Sequence, residues 1–333
     1  MNRMEREAAV DVNVAVLSAS RDLTWRDRVA HWKARWGMGR MHMSVVPGLY
    51  RLGAPDRQAP VFVTANYKLS FDALRTNLAG LDAWILVLDT KGVNVWCAAG
   101  KGTFGTEELV RRIRQTELAA HVDGRRLILP QLGAPGVAAH VVKEHTGFTV
   151  VWGPVEARDI PAFMRAGTKA TPAMRAKQFP LGERIKVTPI ELLQAAKPVA
   201  LVLLVVALIM LLSGRPFRAY EFLRNVGPIL VAVLAGAFLT PILLPWIPFR
   251  AFAAKGALVG VLCAALMCLG LNRPLLGSLG WVLLPTALAS YLAMNFTGAS
   301  TFSNPSGVRK ELRYAIPAQL VAALAGLLLI VLL

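Results

Sequence analysis

Residues 83–106 read AWILVLDTKGVNVWCAAGKGTFGT. The first six are apolar without a break, as a β-strand covered on both faces requires. A polar turn follows, then a segment of small residues around Cys97. The run that starts at Thr106, TEELVRRIR, reads as a helix. It carries carboxylates in its first turn and bases later, and Thr106 is expected to cap it.

The same alternation continues outward on both sides. VFVTAN (61–66), RRLILP (125–130) and FTVVWGPV (148–155) read as strands, and LSFDALRTNLAGL (69–81) and GVAAHVVKEHT (136–146) as helices. This pattern predicts a Rossmann-like α/β domain over residues 45–190, with a parallel sheet covered by helices on both faces. Residues 1–44 are set apart as an N-terminal extension. In such sheets ligands bind beyond the carboxyl ends of the strands. Four loops should meet at that rim: Thr64 to Asn66, the Cys97 segment, Gln131 to Gly133, and Gly153 with Pro154.

Composition divides the 333 residues differently. Of 37 basic and 20 acidic residues, 28 and 18 lie at or before Lys197. The remainder is nearly free of charge, as membrane-embedded segments must be. Five apolar runs, at about 195–213, 226–248, 251–271, 274–296 and 314–333, approach the roughly 20 residues a membrane-crossing helix needs. Residues 195–333 therefore read as an all-α domain of five spans. Lys255 is expected to snorkel to the interface; Trp246, Trp281 and Tyr291 are interface anchors, and Gly236, Gly256, Gly260 and Gly270 are places for close helix packing. No span is read as carrying a central Asp, Glu, Arg or His.

The amino terminus lacks the apolar core and cleavage site of a secretory signal. The α/β domain is accordingly expected on the cytoplasmic side of the cell's inner membrane, with the carboxyl terminus outside. Arg250, Lys255, Arg309, Lys310 and Arg313 agree with that orientation, whereas Arg215, Arg218 and Arg224 oppose it. The net charge of +17 is attributed to headgroup contacts and not to nucleic acid, no run being read as interleaving clustered bases with aromatics. Three cysteines, Cys97, Cys263 and Cys268, have no zinc or iron–sulfur spacing.

The residues around Cys97 leave three readings. AGKGT has the look of a phosphate loop, but Val95 and Gly102 stand where that motif needs glycine and Ser/Thr. A nucleophilic thiol would want a histidine nearby, and His31, His42, His121, His140 and His145 are not placed to serve. A lone soft ligand suits a metal already held by a macrocycle, haem or corrin, with Ala98, Ala99 and Gly100 small enough to let a flat ring approach.

The stretch Asn94-Val95-Trp96-Cys97-Ala98-Ala99-Gly100-Lys101 resembles the signature of the HgcA family, the corrinoid proteins of microbial mercury methylation. VTANYKLSFDALR, PQLGAPGVAAH, GPVEARDIPAF and ATPAMR are similar to the corrinoid-binding domain of the corrinoid iron–sulfur protein. The resemblance implies cobalamin bound base-off, with Cys97 as the lower axial ligand of cobalt and residues 94–101, followed by Gly102, as a capping helix. It also implies that Thr64, Asn66, Gln131, Gly133, Gly136 and Gly153 cradle the ring. The implied reaction is methyl transfer to Hg(II), forming methylmercury, with the thiolate pushing charge toward cobalt so that the methyl leaves as a carbanion or radical. The chain has no cluster motif of its own. Its implied partners are a ferredoxin-like protein with two 4Fe-4S clusters (HgcB) as electron donor and a methyl-folate or a methyltransferase as methyl donor. The alternative is a membrane-anchored methyl carrier of one-carbon metabolism with no mercury role.

Overall fold

The structure is a computed structural model that describes residues 16–39, 42–212, 218–271, 275–296 and 305–332. The chain forms two compact units, Met1–Ala34 with Met38–Lys177, and Arg35–Gly37 with Gln178–Leu333.

The first unit is built on six strands: β1 (Leu17–Ala19), β2 (Gly48–Leu52), β3 (Val61–Ala65), β4 (Ala83–Leu88), β5 (Arg126–Leu129) and β6 (Thr149–Trp152). They lie in the order β1-β2-β4-β3-β5-β6. The last four strands in that order are mutually parallel, as the apolar runs require. The expected all-parallel sheet is nevertheless mixed. β2 runs antiparallel to β4, with Tyr50 opposite Ile85, and β1 pairs parallel to β2. GLYRL does not announce itself because Arg51 interrupts it and faces solvent. β1 is three residues long, too short for any periodicity.

Among the described residues of this unit the α-helices are α1 (Trp25–Arg35), α2 (Lys68–Thr76), α3 (Val95–Lys101), α4 (Thr106–Gln115), a single turn α5 (Leu118–His121), α6 (Ala139–Thr146) and α7 (Ile160–Arg165). Alternate side chains of the central strands enter two cores. Val61, Val63, Leu86 and Leu88 pack with Ala98, Phe104 and Leu109. Phe62, Ile85 and Val87 pack with Phe71, Leu74 and Phe163 on the other face. Each such buried side chain contributes roughly 1.5–3 kcal/mol.

Two expectations are corrected here. The described part of the supposed extension belongs to the fold, since β1 extends the sheet and α1 is tied to α2. Asp27 pairs with Lys68 at 2.6 Å and Arg75 at 3.0 Å, and His31 lies 2.7 Å from Asp72. Thr24 and Asp27 close a reciprocal cap at the start of α1. Thr106 does not cap α4; Gly105 holds that position, and the Thr106 hydroxyl accepts from Ala138 N–H at 2.8 Å.

The second unit is helical: α8 (Leu181–Leu212), α9 (Ala219–Val233), a π-helical turn (Leu234–Leu239), α10 (Thr240–Leu243), α11 (Phe252–Gly270), α12 (Leu275–Asn295) and α13 (Pro305–Leu332). Among the described residues four helices are long and apolar enough to cross a membrane, at Leu181–Leu204, Asn225–Leu243, Phe252–Gly270 and Gly307–Ile330. The run expected at 274–296 is present as α12, 21 residues long.

Glycines seat α12 against its neighbours. A Cβ on Gly236 would stand 2.4 Å from Ala289 O, and one on Gly256 2.5 Å from Ala293 Cβ. Gly260 is equally close-packed against α12, whereas Gly270 has nothing within 4 Å and needs no small residue.

Lys255 does not snorkel. It is buried, and its ammonium donates to Leu244 O and Ile247 O, carbonyls left open where α10 ends. α8 begins well before residue 195, so the candidate span Leu181–Leu204 takes in the buried Glu191, which lies outside the run expected at 195–213. Trp246 and Tyr291 are exposed, and the Arg184 guanidinium sits 4.9 Å over the Trp246 ring. Arg215 lies outside the described residues.

Candidate functional site

The turn between β4 and α3 is built around one side chain. Asn66, at the end of β3, accepts through Oδ1 from Thr90 N–H (3.1 Å), Thr90 Oγ1–H (2.8 Å) and Gly92 N–H (2.9 Å). Its amide nitrogen donates to Asp89 Oδ1 at 3.3 Å. Asn66 is buried and fully engaged. It shapes the approach to α3.

α3 then starts on Asn94, whose side chain accepts from Cys97 N–H at 3.0 Å. It ends on Gly102, at φ +79°, a left-handed conformation that glycine adopts without strain. Val95, Ala98 and Ala99 are buried beneath the helix, while Trp96, Cys97, Gly100 and Lys101 are exposed.

The small residues under α3 serve packing. Gly136 closes the six-residue 3₁₀ turn Gln131–Gly136, and a Cβ there would lie 2.1 Å from Phe104 O and 3.1 Å from Ala99 Cα. One on Gly133 would meet the Phe104 ring at 2.5 Å. Ala99 faces this seat and Ala98 is buried in the core beside Phe104, so packing within the domain limits the size of both; a Cβ on Gly100 would meet open space.

The carboxyl ends of β3, β5 and β6 open onto a cleft of about 320 Å³, lined by Thr64, Asn94, Val95, Trp96, Pro130, Leu132, Gly153 and Pro154 among others. That volume is at the low end for small-molecule sites. Of the candidate residues, Thr64, Asn94, Val95, Trp96 and Gly153 line it. Cys97, a free thiol, is exposed on the next position of the helix and is not part of the lining. Gln131 accepts from Arg175 Nη1–H at 2.8 Å, and Gly133 and Gly136 lie behind the wall. Sequence reasoning missed Ser70, Ala73 and Leu74 of α2 and the loop from Val155 to Ala157 with Ile160, which close the other side. The signal was available, because α2 follows β3 directly and must start at the same rim.

Charges brace the site from behind. Glu108 of α4 accepts from Asp89 N–H at 2.8 Å and pairs with Arg111 and Arg112. Burial alone would push the Glu108 carboxyl up, but that N–H and the two guanidinium groups outweigh it and hold it below the usual range. Asp89 behaves alike: burial raises it, and hydrogen bonds from the Lys91 ammonium and N–H bring it down. Among the described residues, no three His, Cys, Asp or Glu side chains converge on a metal position.

An α/β domain with a cleft across its parallel strand ends, flanked by one capped helix that presents a thiol, is the class this site defines. Residues 35–164 match the family model of the CO dehydrogenase/acetyl-CoA synthase delta subunit. The acetyl-CoA decarbonylase/synthase complex subunit gamma of Methanopyrus kandleri is 34% identical over 127 residues, 38% of this chain and 27% of that protein. The same subunit from Archaeoglobus fulgidus is 30% identical over 127 residues, with the same two shares. The corrinoid/iron-sulfur protein large subunit of Moorella thermoacetica is 32% identical over 120 residues, 35% of this chain and 26% of its own length. The first unit thus carries a domain similar to one in the corrinoid/iron–sulfur protein large subunit, and this chain spans about a quarter of the length of these relatives.

Proposed function

We propose that this chain is a membrane-anchored corrinoid protein that carries a methyl group, with Cys97 as the ligand to cobalt and Hg(II) as the methyl acceptor. The observation that carries the first part is the free thiol of Cys97, exposed on a helix fixed by Asn94, beside a cleft at the strand ends of a domain similar to the corrinoid/iron–sulfur protein. The donor set fits a metal held by a macrocycle. Such a metal needs one protein ligand, and among the described residues no three His, Cys, Asp or Glu side chains converge to hold a metal without a macrocycle.

A bound corrinoid supplies a transferable methyl group on cobalt. In this reading Cys97 donates its thiolate sulfur from a preorganised support, Trp96 and Val95 shield one edge of the cofactor from water, and Thr64 with the Gly153 backbone holds its rim. Hg(II) is an electrophile, so the methyl must arrive with added electron density, which a thiolate ligand promotes more than a neutral imidazole does. The Hg(II) acceptor rests on the resemblance of residues 94–101. Five membrane spans and a cytoplasmic α/β domain are read from the apolar runs, the amino terminus and the charge pattern; the ferredoxin-like electron donor and the methyl-folate source complete the same proposal. A second reading is favoured by the relatives themselves: a methyl carrier of one-carbon metabolism, handing its methyl to a protein partner.

The test is the full chain reconstituted with cobalamin, wild type against Cys97→Ala. A cobalt spectrum that depends on Cys97, together with Hg(II) methylation that the variant loses, supports the proposal. Cobalamin uptake with a spectrum indifferent to Cys97 overturns the ligand assignment. Uptake with ligation by Cys97 but no methylmercury favours the second reading.

A further inference from the structure

The helix α1 carries a pattern that the corrinoid reading does not use. Residues 25–36 read WRDRVAHWKARW, a run that does interleave aromatics with bases, contrary to the expectation above. Its two sides are chemically distinct. Asp27, His31 and Ala34 face the domain, held by Lys68, Arg75 and Asp72. On the opposite side Trp25 is 71% exposed, Val29 36% and Trp32 54%. These recur at i, i+4 and i+7, one face of a helix. Arg28 and Arg35 flank this stripe along one edge, Arg26 and Lys33 along the other, and all four are exposed.

We propose that α1 is an interfacial helix that lies on the anionic headgroups of the membrane, with its tryptophan stripe at the acyl boundary and its four bases in the headgroup layer. Tryptophan is the side chain best suited to that depth, being apolar in body with one N–H for the wet side. Bases on both edges of an apolar stripe are the arrangement that anionic lipid attracts. Single-stranded nucleic acid fits less well, since its stacking platforms sit in a groove that tracks the backbone, whereas this stripe is the outward face of a single helix. The second unit of the chain holds the membrane-length helices. The inference rests on the membrane association of that unit and not on the cofactor.

The experiment uses the full chain in lipid nanodiscs, with Cys97, Cys263 and Cys268 replaced by Ser and one nitroxide placed at Val29→Cys. Collision with oxygen and with a water-soluble nickel chelate reports its depth. In discs containing phosphatidylglycerol the label should be reached by oxygen and shielded from nickel. The shielding should fall several-fold in pure phosphatidylcholine, and again on replacing Arg26, Arg28, Lys33 and Arg35 by Gln. A label at Glu144→Cys on α6 should stay open to nickel throughout. One at Val261→Cys on α11 tests the membrane reading separately: buried there while Val29→Cys is wet, it sinks this inference alone. Shielding of Val29→Cys that persists in detergent, or that ignores lipid charge, means a protein surface covers α1 and overturns the proposal. Shielding that appears on adding a single-stranded oligonucleotide without lipid overturns it in favour of nucleic acid.

Discussion

The carboxamide oxygen of Asn94 accepts from the backbone N–H of Cys97 at 3.0 Å, so the residue that begins α3 also fixes the one that carries the thiol. Seven residues make too short a helix to hold itself in water. Its position therefore depends on this cap, on the Gly102 terminus and on the seat beneath. Asn94→Ala should cost about 1 kcal/mol of stability and lower corrinoid affinity while leaving Cys97 in place. Titration of the full chain with cobalamin measures it; unchanged affinity would show that the cap is not what positions the sulfur.

Cys97→His separates binding from transfer. An imidazole can ligate cobalt but pushes less charge onto it, so the variant should take up cobalamin and lose methylation of Hg(II). Holoprotein spectra and methylmercury formation are the two readouts. Transfer at the wild-type rate would remove the electronic argument for a thiolate.

Packing beneath α3 predicts that Ala98→Leu and Gly136→Ala act on the fold before they act on any ligand. Ala98 is fully buried, and the added Cβ at Gly136 would collide with Phe104 O. Overpacking of this kind costs typically 1–3 kcal/mol. Both variants should unfold at lower temperature without cofactor, whereas Gly100→Ala, in open space, should change stability little. A wild-type melting temperature for Ala98→Leu would mean that its side chain lies on the ligand side after all.

Acid should loosen the site through Glu108. Its carboxyl is held below its ordinary value in the folded chain, so the stability it contributes is present above about pH 4.3, the unfolded glutamate value. That stability is lost as pH falls through the lower folded value. Asp89 adds to the loss in the same direction. Glu108→Gln should be less stable at neutral pH and show a shallower fall in unfolding temperature below pH 4.5. Parallel curves for the two proteins would place the acid sensitivity elsewhere.

How much of this was legible depends on how each residue signals. AWILVL is apolar throughout and VFVTA is apolar but for Thr64; both are buried on both faces, so their placement follows from hydrophobicity. The rim loops follow from strand direction, and Thr64, Asn94 and Gly153 do meet at the cleft. Residues whose role is to satisfy other backbone groups stayed hidden. Asn66 reads as a polar residue at a strand end whether it faces a ligand or a turn. Thr106 looks like a cap until the donor it serves, Ala138 N–H, is seen 32 residues away. Ala98 and Lys255 share the difficulty: a small residue suits a ring or a helix seat equally, and a lysine near a membrane surface gives no hint that unpaired carbonyls are within reach. Strand β2 does not stand out because Arg51 interrupts its short apolar run.

The three-residue strand β1 has a practical consequence. It covers Tyr50, Arg51 and Leu52, the outer ladder of β2. A chain trimmed to begin at residue 35, where the family likeness starts, would keep the matched segment yet uncover that ladder and strip α1 from Asp72 and Arg75. An open strand edge of this sort invites the edge of another molecule. Such a trimmed protein would self-associate, and its inactivity would then speak of aggregation, with the thiol and its cleft still intact.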